Sequence, residues 1–113
     1  MAARETVHQI VQRAYALCAQ LMPVKACWLY GSYARGDHDD ESDVDILMSV
    51  DLPEEKLKQS RRAVAAINSQ LSLDHDVTVS ITIKAAENIA KYSSFVPYYQ
   101  NVLREGKIYA GGR

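Results

Sequence analysis

The sequence predicts an α/β or α+β domain, a small mixed sheet with helices packed on it. Three observations carry that expectation. Apolar residues recur at helical spacing between Val7 and Leu21, two later stretches alternate apolar and polar with a period of two, and helical and extended patterns then follow one another along the chain. Val7, Ile10, Val11, Ala14, Leu17, Cys18 and Leu21 stand at i, i+3, i+4, i+7 positions, the stripe of an amphipathic helix ended before Pro23. Residues 26–30 (ACWLY) form a short apolar run closed by Gly31-Ser32 and read as a buried strand. A helical turn is expected over residues 33–35.

Residues 43–50 read as the second strand. Asp43 and Asp45 fall on one face and Val44 and Ile46 on the other, before the run becomes apolar on both. Asp51, Pro53 and Glu54 make a D-x-P-E capping box with proline in the first turn of a helix whose inner side is Leu57, Val64, Ile67 and Leu71. Residues 76–83 alternate again, with Val77, Val79, Ile81 and Ile83 facing inward, as a half-buried third strand. Two short helices follow over residues 84–92 and 96–105. Gly106 stops the second, and the tail Gly111-Gly112-Arg113 is expected to fray.

With 113 residues, the chain reads as one domain over residues 1–113, able to bury a core but with no room for a second substrate-binding domain. A formal net charge of -1 gives no support for a nucleic-acid binder acting through bulk positive charge. Cys18 and Cys27 lie among apolar neighbours without metal-ligand spacing, as in a reduced, cytoplasmic protein. The N-terminal stretch is too polar for a signal peptide, and its apolar run is too short to span a membrane.

Chemistry concentrates between residues 31 and 48, GSYARGDHDDESDVDILM. Two carboxylates at i and i+2 of a strand project from the same face, about 7 Å apart at the backbone. Asp43 and Asp45 therefore make one patch of negative charge that needs a cation, and few hard oxygens shared with phosphate and water suit Mg2+. Upstream, Gly31 lets the backbone approach a phosphate, the Ser32 hydroxyl can bind its oxygens, and Arg35 adds a cation one turn on. Metal carboxylates beside a phosphate grip are what two-metal nucleotidyl or phosphoryl transfer requires. A third carboxylate would complete the site. Asp74 and Asp76 share strand parity; Asp76 is chosen because it abuts the apolar alternation and should sit inside the sheet.

G-S-x-A-R-G, then S-D-x-D on a strand, then a lone Asp before an apolar strand, resembles the nucleotidyltransferase superfamily of the DNA polymerase β type. The match covers Gly31, Ser32, Ala34, Arg35, Gly36, Ser42, Asp43, Asp45 and Asp76. The length and the ending SSFVPYYQNVLREGKIYAGG resemble the minimal nucleotidyltransferases called MntA, antitoxin partners of HEPN-domain RNase toxins (HepT). The resemblance implies the polymerase β-like fold and an enzyme that uses ATP and two Mg2+ ions to attach AMP to a tyrosine of the toxin, silencing it within a hetero-oligomer. It also implies site roles. Asp43 and Asp45 would hold both metals, and Asp76 would hold one and help deprotonate the acceptor. Ser32 and Arg35 would position the triphosphate, with Gly31 and Ser42 completing the nucleotide-binding set.

Other readings compete. Asp37, Asp39, Asp40 and Glu41 read as solvated loop, and Arg35 could simply pair with them. An EF-hand counted from Asp37 fails, with Ser42 where Gly is needed and Met48 where Glu is needed. GSYARG is neither a Walker A motif nor GxGxxG. His8, His38 and His75 read as solvated, and Tyr92, Tyr98, Tyr99 and Tyr109 as an interface or as packing. An antitoxin acting by steric occlusion, or an antibiotic-type small-molecule nucleotidyltransferase, are the functional alternatives.

Overall fold

The computed structural model describes residues 3–110; the expected frayed tail, Gly111 to Arg113, lies outside them. The elements run α1 (Arg4–Leu21), β1 (Val24–Tyr30), α2 (Ser32–Arg35), β2 (Val44–Val50), a 3-10 turn (Glu54–Lys56), α3 (Leu57–His75), β3 (Val79–Ala85), α4 (Ala86–Tyr92), α5 (Pro97–Glu105) and β4 (Lys107–Ala110). The strands form a four-stranded mixed sheet in the order β3-β2-β1-β4. β1 pairs antiparallel with β2 and with β4, while β2 and β3 are parallel. Parallel neighbours need a long crossover, and α3 supplies it. The expected α/β architecture is present.

Each sheet face buries its own layer of helices. Cys27, Leu29, Val44, Ile46, Met48, Ile81 and Ile83 pack against the inner stripes of α1 and α3, including Ile10, Val11, Val64 and Leu71. Ala26, Trp28 and Leu47 face the other way, against Ile89 of α4 and Tyr99 and Val102 of α5. Fully burying each such aliphatic side chain stabilises by about 1.5–3 kcal/mol. β2 is buried along its whole length except at Asp45, the one half-exposed position in it. Among the described residues no helix is long and apolar enough to cross a membrane.

Three local expectations are overturned. The capping box does not form: Pro53 caps the 3-10 turn, Lys56 caps α3, and neither uses a side-chain hydrogen bond. Glu54 is drawn instead into tertiary contacts. It accepts from the Ala85 N–H (3.1 Å) and the Asn88 amide (3.2 Å), and pairs with Arg61. The third strand also starts later than its alternation implied. α3 continues through Asp74 and His75, and Asp76 ends it in the left-handed conformation (φ 52°, ψ 45°). At the end of α1, Leu21 belongs to the helical stripe by spacing but is 59% exposed.

Candidate active site

β1 ends at Tyr30, which lies directly across the antiparallel ladder from Asp45. The next residue, Gly31, has φ 78° and ψ -156°, a region essentially restricted to glycine. A Cβ there would lie 2.5 Å from Asp45 Oδ2. The carboxylate thus occupies the space that a side chain at 31 would need: glycine is required for its backbone angles, and any Cβ there would push the Asp45 carboxylate aside. Ser32 to Arg35 make the single turn of α2, closed by Gly36 at φ 85°.

Asp45 is half-buried, and burial raises its pKa above the ordinary carboxylate value. The nearby Asp43 charge adds to the rise, and the Arg35 guanidinium opposes it. Asp43 is exposed and stands one residue before β2. These are two neighbouring acids whose repulsion the protein leaves partly uncompensated. That donor set fits a hard divalent cation: Asp43 and Asp45 could hold one between them and the oxygens of a phosphate.

Gly31, Ser32, Arg35 and Asp45 line one hollow of about 410 Å³, whose opposite wall is built by α5. Tyr98, Asn101 and Glu105 reach into it from that helix, and Tyr30 forms its floor. The Tyr98 hydroxyl donates to that of Tyr30 (3.0 Å), and the two rings meet edge to face. Burial, and then the bond to Tyr30, keep the Tyr98 phenol protonated well beyond its usual range. A larger hollow of about 520 Å³ between α1 and β4 shares Arg35 but contains neither Asp45 nor Ser32, and Asp43, expected beside Asp45, lines neither hollow. The chemistry assigns the site to the smaller one.

Three expected site residues are placed differently from the sequence reading. Asp76 caps α3 and lines a separate hollow with Asp40, Glu41 and Ser42. Its expected position inside the sheet is incorrect, because the alternating pattern runs back across a helix end. Asp74 does not replace it, being in α3 and bound by Arg13 (3.1 Å) and Gln70 (2.7 Å). Among the described residues no three His, Cys, Asp or Glu side chains gather as a metal site, so the three-carboxylate set is not assembled. Ser42 is likewise outside the Gly31 hollow. Its hydroxyl accepts from the Asp39 N–H (2.9 Å) and donates to Asp39 Oδ1 (3.1 Å), which folds the acidic loop. Arg35 is in the hollow but is held by Asp37 (3.1 Å) and Glu105 (3.6 Å). Asp37 and Asp39 therefore organise structure as well as meeting solvent.

His38 is less solvated than expected, stacking on Tyr33 at 4.2 Å, whereas His8 is exposed on α1 with its ring 5.3 Å from that of Tyr109. Of the four tyrosines, Tyr99 is core. The residues missed in sequence are Tyr30, Tyr98, Asn101 and Glu105. Their only signal was the i, i+3, i+7 spacing of the last three, which also describes an ordinary solvated helix face.

A family model described as the nucleotidyltransferase domain matches residues 12–109. The chain belongs to that nucleotidyltransferase family. It is 49% identical over 53 residues to "Putative protein adenylyltransferase MJ0141" of Methanocaldococcus jannaschii, a match spanning 46% of this chain and 50% of that protein. It is 32% identical over 85 residues to MJ0604 of the same organism, which carries the same description; that match covers 75% of this chain and 77% of the relative. The chain thus spans only half the length of the first of these relatives.

Three solved structures share the fold. One is a "putative minimal nucleotidyltransferase" (TM-score 0.59, 24% identity, 94% of this chain and 95% of that one). Another is the toxin-antitoxin MntA-HpeT (TM-score 0.57, 20% identity, 88% and 71%). The third is a toxin-antitoxin with AMP-PNP (TM-score 0.56, 15% identity, 96% and 74%). At these identities the likeness is one of fold.

Proposed function

We propose that this chain, acting as one domain, transfers AMP from ATP to a hydroxyl of a partner protein. The partner is a HEPN-type RNase toxin, the acceptor a tyrosine, and the modification neutralises the toxin. The observation that carries the reading is the contact of Asp45 with Gly31. It brings a metal-binding carboxylate and a phosphate-binding turn into one hollow, as attack at a phosphate requires. The names of the M. jannaschii relatives support protein adenylylation, and those of the toxin-antitoxin structures support a toxin partner.

In this reading Ser32 and Arg35 bind and orient the triphosphate, and the stiff Gly31 backbone allows its close approach. Asp43 and Asp45 hold Mg2+, which when bound polarises the phosphate and offsets its charge. The acceptor oxygen attacks the α-phosphorus in line, the bond to the β-phosphate oxygen breaks, and pyrophosphate leaves. The acceptor's proton is given up to water as the new bond forms. Asp76 has no part in this scheme, since its side chain lies in another hollow.

The test uses ATP labelled at the α- or the γ-phosphate, with Mg2+ and a HEPN-type RNase. Transfer of α-label to the RNase, lost with Asp43→Asn or Asp45→Asn and retained with Asp76→Asn, is the expected result. Transfer of γ-label would mean kinase chemistry and overturn the proposal. Neutralisation of the RNase without label transfer, unchanged in the Asp43→Asn/Asp45→Asn variant, would favour steric occlusion.

A further inference from the structure

We infer that α5 is the nucleoside-recognising wall of the hollow, and that Asn101 selects a purine bearing a 6-amino group. The inference rests on the nucleotidyltransferase reading of that hollow and adds to it the part of the nucleotide the signature leaves unassigned. The phosphate end and the metal end are both contributed by the β1–β2 segment, through Ser32, Arg35 and Asp45. A nucleotide held there has its base and ribose left to place, and the remaining wall is α5. Tyr98, Asn101 and Glu105 lie at i, i+3 and i+7, so one face of one helix presents all three.

The chemistry of that face suits a nucleoside. The Tyr98 ring is fixed by its edge-to-face contact and hydrogen bond with Tyr30, giving a rigid aromatic surface for a base or ribose. The Asn101 amide carries a donor and an acceptor side by side. That pair matches the ring nitrogen and 6-amino group of adenine, whereas guanine offers two acceptors at the corresponding edge. Oδ1 of Asn101 now accepts from Arg104 Nη2 (2.8 Å). Arg104 is 69% exposed, so it can return to water when a base takes its place. Glu105 is engaged with Arg35 and Arg104, which leaves Asn101 as the polar group of this wall able to read an edge.

Calorimetric titration of the full chain with Mg2+ and ATP, GTP, ITP or inorganic tripolyphosphate tests this. Tripolyphosphate reports the phosphate end alone, and ITP carries a 6-oxo group, with N1 protonated, in place of the 6-amino group. Asn101 is an exposed helix position, so Asn101→Ala leaves the fold intact. It should weaken ATP on the order of 10-fold or more, toward the GTP and ITP values, with tripolyphosphate unchanged. Ser32→Ala should weaken both ATP and tripolyphosphate. If Ser32→Ala acts as stated but Asn101→Ala leaves ATP affinity and the ATP-to-ITP ratio unaltered, the role of α5 is wrong while the site stands. If Ser32→Ala and Asp45→Asn alter neither ligand, the nucleotidyltransferase reading of the hollow fails first.

Discussion

Substituting Gly31→Ala should damage this protein twice, and the two effects can be separated. The backbone at φ 78°, ψ -156° costs an alanine about 1–3 kcal/mol. The added methyl also meets Asp45 Oδ2 at 2.5 Å, an overpacked contact worth about 1–3 kcal/mol unless the carboxylate swings away. Together they predict a loss of about 2–6 kcal/mol. At about 4 °C per kcal/mol for a chain of this length, Tm should fall by about 8–24 °C. Replacing Asp45 by Ala removes the clashing oxygen and leaves Asp45 Cβ at 3.5 Å, an ordinary contact. In that background Gly31→Ala should show the backbone cost alone, a coupling of about 1–3 kcal/mol in a double-mutant cycle. Urea unfolding of the four proteins measures it. A Gly31→Ala variant within about 0.5 kcal/mol of the parent, or a cycle additive to that margin, would refute the argument that Asp45 and Gly31 share one space.

Three further outcomes are expected. Because the folded state raises the Asp45 pKa, the unfolded chain loses that proton more readily, so ionisation of Asp45 opposes folding as pH rises above its ordinary value of 3.8. Metal-free Asp45→Asn should therefore melt higher than the parent at pH 7, the gap closing in acid; Mg2+ should raise Tm of the parent only. Glu54 behaves oppositely: burial disfavours its charge, but the bonds from Arg61 and the Ala85 N–H outweigh that and lower its pKa. Its contribution is present above 4.5 and fades as pH falls, so Glu54→Gln should cost about 1–2 kcal/mol at pH 7 and progressively less in acid melts. The buried thiols, pushed up to about 11 at Cys18 and about 12 at Cys27, should react with a thiol reagent at pH 8 only as fast as the protein unfolds. Rapid labelling of the native protein would contradict their burial.

Periodicity was a good guide where burial is one-sided. The stripes of α1 and α3, and the inward set Val79, Ile81 and Ile83, follow directly from it. It misled at Asp76, where alternating residues continue across a left-handed helix cap that pattern alone does not reveal. Local motifs failed where tertiary partners competed, as at Glu54, taken from its expected cap by Ala85 and Asn88. The side of β2 on which Asp45 stands was legible, because strand parity separates it from the buried Val44 and Ile46. The α5 wall was not, because it depends on how a distant helix packs against β1, which no short-range spacing encodes.

The antiparallel pairing of Tyr30 with Asp45 has a consequence for how the site comes into being during synthesis. Gly31 follows β1 and Asp45 lies in β2, with only α2 and the acidic loop between them, so their meeting costs little closure entropy and can occur early in synthesis. α5 and β4 are made after β1 and β2, and β4 must return past α3 and β3 to pair with β1. A nascent chain therefore carries Gly31 and Asp45 in contact before it has the opposite wall, and the hollow takes shape only once α5 is made.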